Sequence, residues 1–118
     1  MKKGMSREEY KEARLSLQDC TYVWGGKWKT LILVYLAMNE KDRNCFLQIR
    51  RDMQGISAKM LSKELRDLEM NMLVKRTVHN TKPITVEYAI TEYGKTLILV
   101  VEAFIKWGIN HRKVIKSR

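Results

Sequence analysis

At 118 residues the chain is long enough for one domain with its own core and too short for two. A hydrophobic fraction of 45%, a single proline and six glycines exclude a disordered or loop-dominated chain. Lysine and arginine outnumber aspartate and glutamate by 23 to 13, a formal charge of +10 that points to a polyanionic partner: nucleic acid, an acidic protein or a membrane surface.

Ser6-Arg7-Glu8-Glu9 has the spacing of a capping box and predicts a first helix over about 7–19. No apolar stretch follows Met1-Lys2-Lys3, so no secretion signal is expected. Gly25-Gly26 then interrupts the chain. Over about 27–38, Trp28, Leu31, Ile32, Val34, Tyr35, Leu36 and Met38 make a helix apolar almost all round, the expected centre of the core. Residues 39–43 are polar and predict a loop. Phe46, Ile49 and Met53 recur at three- and four-residue spacing, the mark of a short helix. Gly55 stands where that helix should end, supplying a positive φ without steric cost. Ser57 is the expected N-cap of the next helix, on which Leu61, Leu65, Leu68 and Met72 share a face. Two short helices joined by a glycine-containing turn form a helix-turn-helix pattern.

Beyond it the period of the pattern falls to two. Residues 74–78 predict one strand, and Val86, Tyr88 and Ile90 alternating with Thr85, Glu87 and Ala89 predict a second, with a hairpin tip over 79–84. Thr91 can cap a last helix reaching about Trp107. Residues 97–101 are apolar on all sides, so that helix should be covered from two directions. The order is that of a mostly α fold with a small β-hairpin wing: a winged helix-turn-helix with N- and C-terminal helical extensions, one domain over 1–118.

On the second of the two short helices Lys59, Lys63 and Arg66 stand at i, i+4 and i+7, with Ser57 and Ser62 nearby. They form a cationic face opposite the leucines, while Glu64, Asp67 and Glu69 lie elsewhere on the helix. Such a helix fits the major groove, where Arg and Lys meet guanine edges or phosphates, although an ordinary solvated face has the same spacing. The hairpin adds Lys75, Arg76, His79 and Lys82, which can reach phosphates or the minor groove, or simply protect a sheet edge from pairing. Arg50 and Arg51 precede the turn. Arg51 has two readings, a contact to the DNA backbone and a buried partner of a helix end.

Nothing points to catalysis. His79 and His111 are far apart and lack ligand spacing, and no phosphate-cradling glycine loop or nucleophile elbow occurs. No enzyme activity, cofactor or metal is expected. Cys20 and Cys45 match neither a redox CxxC nor a zinc pattern. The longest apolar runs, 30–38 and 97–101, are far short of a membrane span, so the expectation is a cytoplasmic protein with reduced thiols and no membrane partner. Cys20 precedes the helix expected from Lys27. It is either a thiol activated by Lys27 or by that helix N-terminus, or a buried structural cysteine.

Cys20 ahead of Gly25-Gly26-Lys27-Trp28, then Phe46, Arg51, Gly55-Ile56-Ser57, Lys59-Met60-Leu61 and Leu65-Arg66-Asp67-Leu68-Glu69, begin a longer series. Pro83, Val86-Glu87-Tyr88, Thr91, Gly94 and Trp107-Gly108 complete it. In this order and spacing they resemble the HxlR-type family of bacterial winged-helix regulators over about 20–108. The resemblance implies a homodimeric transcriptional regulator that binds double-stranded DNA, a pseudo-palindromic operator, through the second short helix and the wing. It further implies that the terminal helices make the dimer, and that the cysteine at position 20 can sense oxidants or electrophiles. Four positions depart from the family pattern: Cys45 replaces a usual arginine, Gln48 a common glutamate, Met72 a usual glycine and Thr21 a usual proline.

The residues alone also predict a two-fold homodimer, since 97–101 together with Trp107, Ile109, Val114 and Ile115 exceed what one small core needs. Two other classes fit the residues less well. A protein-interaction module on the same fold would not need the cationic face of Lys59, Lys63 and Arg66. RNA binding would need a stacking platform, whereas Trp24, Trp28 and Trp107 lie in apolar contexts.

Overall fold

The computed structural model describes residues 4–118; the segment 1–3, part of the stretch in which no secretion signal is expected, lies outside the described residues. The elements are α1 (Arg7–Trp24), α2 (Lys29–Met38), β1 (Asn44–Cys45), α3 (Phe46–Met53), α4 (Ala58–Met70), β2 (Val74–His79), β3 (Thr85–Ile90) and α5 (Glu92–Ser117). The capping box is present: Ser6 Oγ accepts from the Glu9 amide at 3.1 Å, and the Ser6 amide donates to Glu9 Oε1 at 3.3 Å. The helix it starts runs past Asp19 to Trp24, because no breaker intervenes before Gly25. Cys20 is therefore a helical residue about one turn from the end of α1, and its side chain is exposed. It is neither buried in the monomer nor positioned at the start of α2, as the two sequence readings had it.

Helix α2 begins at Lys29, two residues later than the apolar pattern suggests. It is the centre of the core, but on one side only. Ile32, Leu33 and Leu36 are fully buried, while Leu31 and Met38 remain exposed. The helix-turn-helix comprises α3 and α4, joined through Gln54 (φ 51°) and Gly55 (φ 98°). Ser57 caps α4, its Oγ accepting from the Met60 amide at 3.0 Å. Leu61, Leu65 and Leu68 all face the core.

Met72 does not extend that stripe. Helix α4 stops at Met70, and Met72 takes φ 64° in a turn where its amide donates to the Glu69 carbonyl at 2.9 Å and the Leu73 amide donates to the Leu68 carbonyl at 3.0 Å. This is a Schellman cap. Its left-handed residue is exposed, and Leu73 enters the core in its place. Glycine suits such a position because a Cβ disfavours positive φ.

A strand not expected from sequence, β1, makes the wing a three-stranded antiparallel sheet in the order β1-β3-β2. Asn44 pairs with Tyr88 and Cys45 with Glu87, while β2 and β3 pair from Val74↔Ile90 to His79↔Thr85. Buried Asn44 closes the preceding loop by donating Nδ2 to the Asn39 carbonyl at 3.0 Å. Thr91 joins the end of the wing to α5. Its hydroxyl accepts from the Gly94 amide at 2.8 Å and donates to the Met72 carbonyl at 2.7 Å. Helix α5 then continues past Trp107 to Ser117. Among the described residues no helix is long and apolar enough to cross a membrane.

The close approach of α5 to the α4 exit generates a paired prediction. A Cβ on Gly94 would collide with the Leu73 carbonyl and the Ile90 side chain, so Gly94→Ala should cost about 1–3 kcal/mol. Met72→Gly should instead stabilise by about 0.5–1 kcal/mol, because relief of the left-handed penalty exceeds the backbone-entropy cost of glycine. Urea midpoints of the two variants against wild type check both signs.

Candidate nucleic-acid interface

The exposed side of α4 faces the base of the wing. Ser62, Arg66 and Glu69 from α4, with Arg76 from β2 and Tyr88 from β3, line one cleft of about 320 Å³. Three of the residues singled out in the sequence, Ser62, Arg66 and Arg76, thus come together. Glu69 and Tyr88 were not foreseen there, and Tyr88 was legible only as one member of an alternating strand. Lys59 and Arg66 are exposed and make no ion pair among the described residues. Ser57 is exposed too, but its hydroxyl is engaged as the cap.

Lys63 differs from its neighbours. Its Nζ lies 3.2 Å from Asp67 Oδ2 and 3.5 Å from Glu64 Oε1, so the cationic face is less uniform than i, i+4, i+7 spacing implies. Hydrogen bonding to Asp67 raises the Lys63 pKa. Burial acts to raise the Asp67 pKa, but hydrogen bonds from Lys63 and Lys29 outweigh it and hold the carboxyl below its ordinary value. Behind this pair Lys29 Nζ reaches Glu64 Oε2 at 3.0 Å and Asp67 Oδ2 at 3.4 Å, with Lys29 and Glu64 both buried. Neither buried residue was singled out in the sequence, where they are 35 positions apart.

On the wing, Lys75 and Arg76 are consecutive in a strand and so project to opposite faces. Arg76 lines the α4 cleft and Lys75 does not. Lys82 is exposed near the hairpin tip. His79 is turned toward the sheet: its buried Nε2 lies 3.2 Å from Glu87 Oε2, without the alignment of a directed hydrogen bond, and Glu87 Oε1 also meets Arg43 Nε at 3.5 Å. Arg51 is exposed, with its Nε 3.9 Å from Asp52 Oδ1. The structural alternative for Arg51 belongs instead to Arg50, whose Nε donates to the Ile56 carbonyl in the turn at 3.3 Å. The first helix of the motif is further held by Tyr35, whose hydroxyl donates to Asp52 Oδ2 at 2.7 Å. Burial and that bond push the Tyr35 hydroxyl up to about 12. Not all the positive charge lies on this side. Lys106, Arg112, Lys113, Lys116 and Arg118 occupy residues 103–118, which contain no carboxylate side chain.

Two short helices with a capped second member, a basic cleft and a three-stranded wing define a winged helix-turn-helix transcriptional regulator. The sequence profile of HxlR-like helix-turn-helix proteins matches residues 23–116, and the chain belongs to that family. It is 37% identical to YtcD, an HTH-type transcriptional regulator of Bacillus subtilis (strain 168), over 103 residues, which cover 87% of this chain and 79% of that one. It is 34% identical over 113 residues to BH0655, an HTH-type transcriptional regulator of Halalkalibacterium halodurans, at coverages of 92% and 98%. The crystal structure of YtcD superposes with a TM-score of 0.74 at 35% identity, over 82% of this chain and 96% of that chain. The reduced form of the redox regulator HypR superposes with a TM-score of 0.77 at 33% identity, over 87% and 99%.

The Tyr35–Asp52 bond predicts a pH effect of definite sign. The folded state raises the tyrosine pKa from 10.0 to about 12. Its contribution to stability is therefore complete below pH 10 and is lost as pH rises toward 12. Wild type should lose stability over that interval more steeply than Tyr35→Phe, as read from urea midpoints of the two proteins at matched pH.

Proposed function

We propose that this protein acts in the cytoplasm as a homodimer that regulates transcription by reading a pseudo-palindromic duplex operator. Each α4 lies in the major groove, and each wing tracks the adjacent backbone. The observation that carries this reading is the shared cleft of Ser62, Arg66 and Arg76, which aligns a base-reading helix with the wing. Arg66 is the candidate for a bidentate guanine contact, with Ser62 beside it. Lys59 and the backbone groups around Ser57 meet phosphates at the start of α4. Arg51, Arg76 and Lys82 extend the phosphate contacts, and Lys75 serves the outer face of the wing; His79, held against Glu87, is not counted among them. Lys63 is held by carboxylates and is not counted among them.

Dimerisation is supported by what the monomer leaves uncovered. Helix α1 has no buried residue, and a helix of that kind gains its stability from a partner. Leu31, Phe104 and Ile105 are exposed around an apolar cleft of about 250 Å³ between α2 and α5. Sedimentation at micromolar concentration should give a dimer; a monomer alone contradicts it.

A second reading concerns oxidants. Cys20 is exposed on α1, the helix proposed to dimerise, and the relative HypR is a redox regulator. Diamide should weaken operator binding by wild type and leave Cys20→Ser unaffected. An insensitive wild type removes the reading, and a sensitive Cys20→Ser moves it to Cys45.

The test of the main reading is a salt titration of fluorescence anisotropy on cognate and scrambled duplexes. A dimer that neutralises on the order of 8 phosphates gives a slope of about −7 in log K against log salt. Arg66→Ala should lose about 1–3 kcal/mol of cognate binding and relax preference at one position per half-site. Lys82→Ala should weaken all sequences alike and flatten the slope. A folded Lys59→Ala/Arg66→Ala protein with wild-type affinity and slope contradicts the reading.

A further inference from the structure

The four charges of Lys29, Glu64, Asp67 and Lys63 form one connected group with a buried end and an exposed end. At the buried end Lys29 and Glu64 are in contact at 3.0 Å. At the exposed end Lys63 reaches Asp67 at 3.2 Å and Glu64 at 3.5 Å. Both carboxylates bridge the two lysines, and Asp67 makes the shorter contact to Lys63, its Oδ2 also lying 3.4 Å from Lys29. Two cations face two carboxylates, so the group is neutral as it stands.

An isolated exposed pair of this kind is weak and gives way to a phosphate. This one is anchored. Glu64 cannot leave Lys29 without stranding a charge in the core, and Asp67 is held from both sides. If Lys63 swung away to a phosphate, Lys29, Glu64 and Asp67 would remain with a net negative charge. That charge would sit on the helix face that meets the polyanion, so the move is opposed twice: by the lost contacts and by the new repulsion.

We propose that Asp67, backed by the Lys29–Glu64 pair, is a specificity-determining residue that withholds Lys63 from the DNA backbone. Phosphate contacts are the same on every sequence, so each one removed from the centre of the recognition helix lowers non-specific affinity without touching base readout. Binding then depends on Arg66, Lys59 and the wing. The inference rests on the assignment of α4 as the DNA-facing helix.

The experiment compares wild type, Lys63→Gln, Asp67→Asn and the double variant by anisotropy across a salt series. The probes are an operator duplex selected from a random library and a scrambled duplex. Lys63→Gln uncovers one negative charge but removes no phosphate contact, so it should weaken binding to both duplexes while flattening the scrambled-duplex slope by clearly less than about 1.8. Asp67→Asn should free one lysine per protomer, steepen the slope by about 1.8 per dimer, tighten scrambled binding several-fold and lower the cognate-to-scrambled ratio. The double variant should return to the wild-type slope, which assigns the gain to Lys63 and not to altered folding. A flattening of about 1.8 in Lys63→Gln overturns the proposal, because Lys63 would then already hold a phosphate. So does an Asp67→Asn protein, folded by circular dichroism, with unchanged slope and ratio. The Lys63→Gln arm decides the matter even where Asp67→Asn lowers stability. Absence of salt-sensitive duplex binding by wild type would overturn the assignment of α4 itself, a result distinguishable from the other two.

Discussion

Lys29 and Glu64 meet in the interior at 3.0 Å, the first on α2 and the second on α4. An ion pair in such a place contributes little net stability, because desolvation of both groups offsets their attraction. Its effect is geometric. Rotation or sliding of α4 on α2 would separate the charges in apolar surroundings, so the pair selects one docking of α4 from those the leucine stripe alone would permit. The stripe of Leu61, Leu65 and Leu68 supplies the buried area, and the pair supplies the register. Helix α2 in turn packs against α5. Helix α4 is thereby referred, through one intermediate helix, to the helix proposed to carry the two-fold axis.

The covered and uncovered halves of the molecule are complementary. On one side of α2 lies the buried core that holds α3, α4 and the wing. On the other, Leu31 and the exposed apolar residues of α5, including Leu99, Phe104 and Trp107, await cover. Trp24 of α1 packs on Phe104 of α5 with ring centroids 4.9 Å apart, so the two terminal helices already converge within one chain. An exposed apolar area of this extent marks an association surface on a folded domain. In the homodimer proposed, closing that surface places two α4 helices in fixed relation, which is what a palindromic site requires.

Much of this was legible in the sequence, and the exceptions have physical causes. The capping box, the three leucines of the stripe, the glycine at the helix turn and the period-two wing are local signals, and these were found where expected. The end of α1 was set too early because no residue between Asp19 and Gly25 breaks a helix. Strand β1 is two residues long, too short to show alternation, and exists only through its pairing with β3. Met72 continues the spacing of the leucine stripe, but Leu73 is the better residue to bury, and the chain turns left-handed at Met72 to bury it. Charge misled in a similar way. Composition counts Lys29, Lys63 and Lys95 with the DNA-directed cations, whereas Lys29 and Lys63 are paired with carboxylates of α4 and Lys95 with Glu40 and Glu92. The Lys29–Glu64 and Lys95–Glu40 pairings cross the fold and leave no trace in helical periodicity, whereas Lys63 and Asp67 stand at i, i+4 and their pairing was legible in the sequence.

The proposed dimer fixes the spacing of its two α4 helices, and footprinting on a selected operator tests that spacing directly. Guanine N7 methylation protection combined with hydroxyl-radical cleavage should show two protected major-groove patches on one face of the duplex. Their centres should lie about 34–36 Å apart, one helical turn, with backbone protection from the wings flanking each. A single protected patch, or backbone protection with every guanine N7 still reactive, would contradict a dimer that reads the groove through α4.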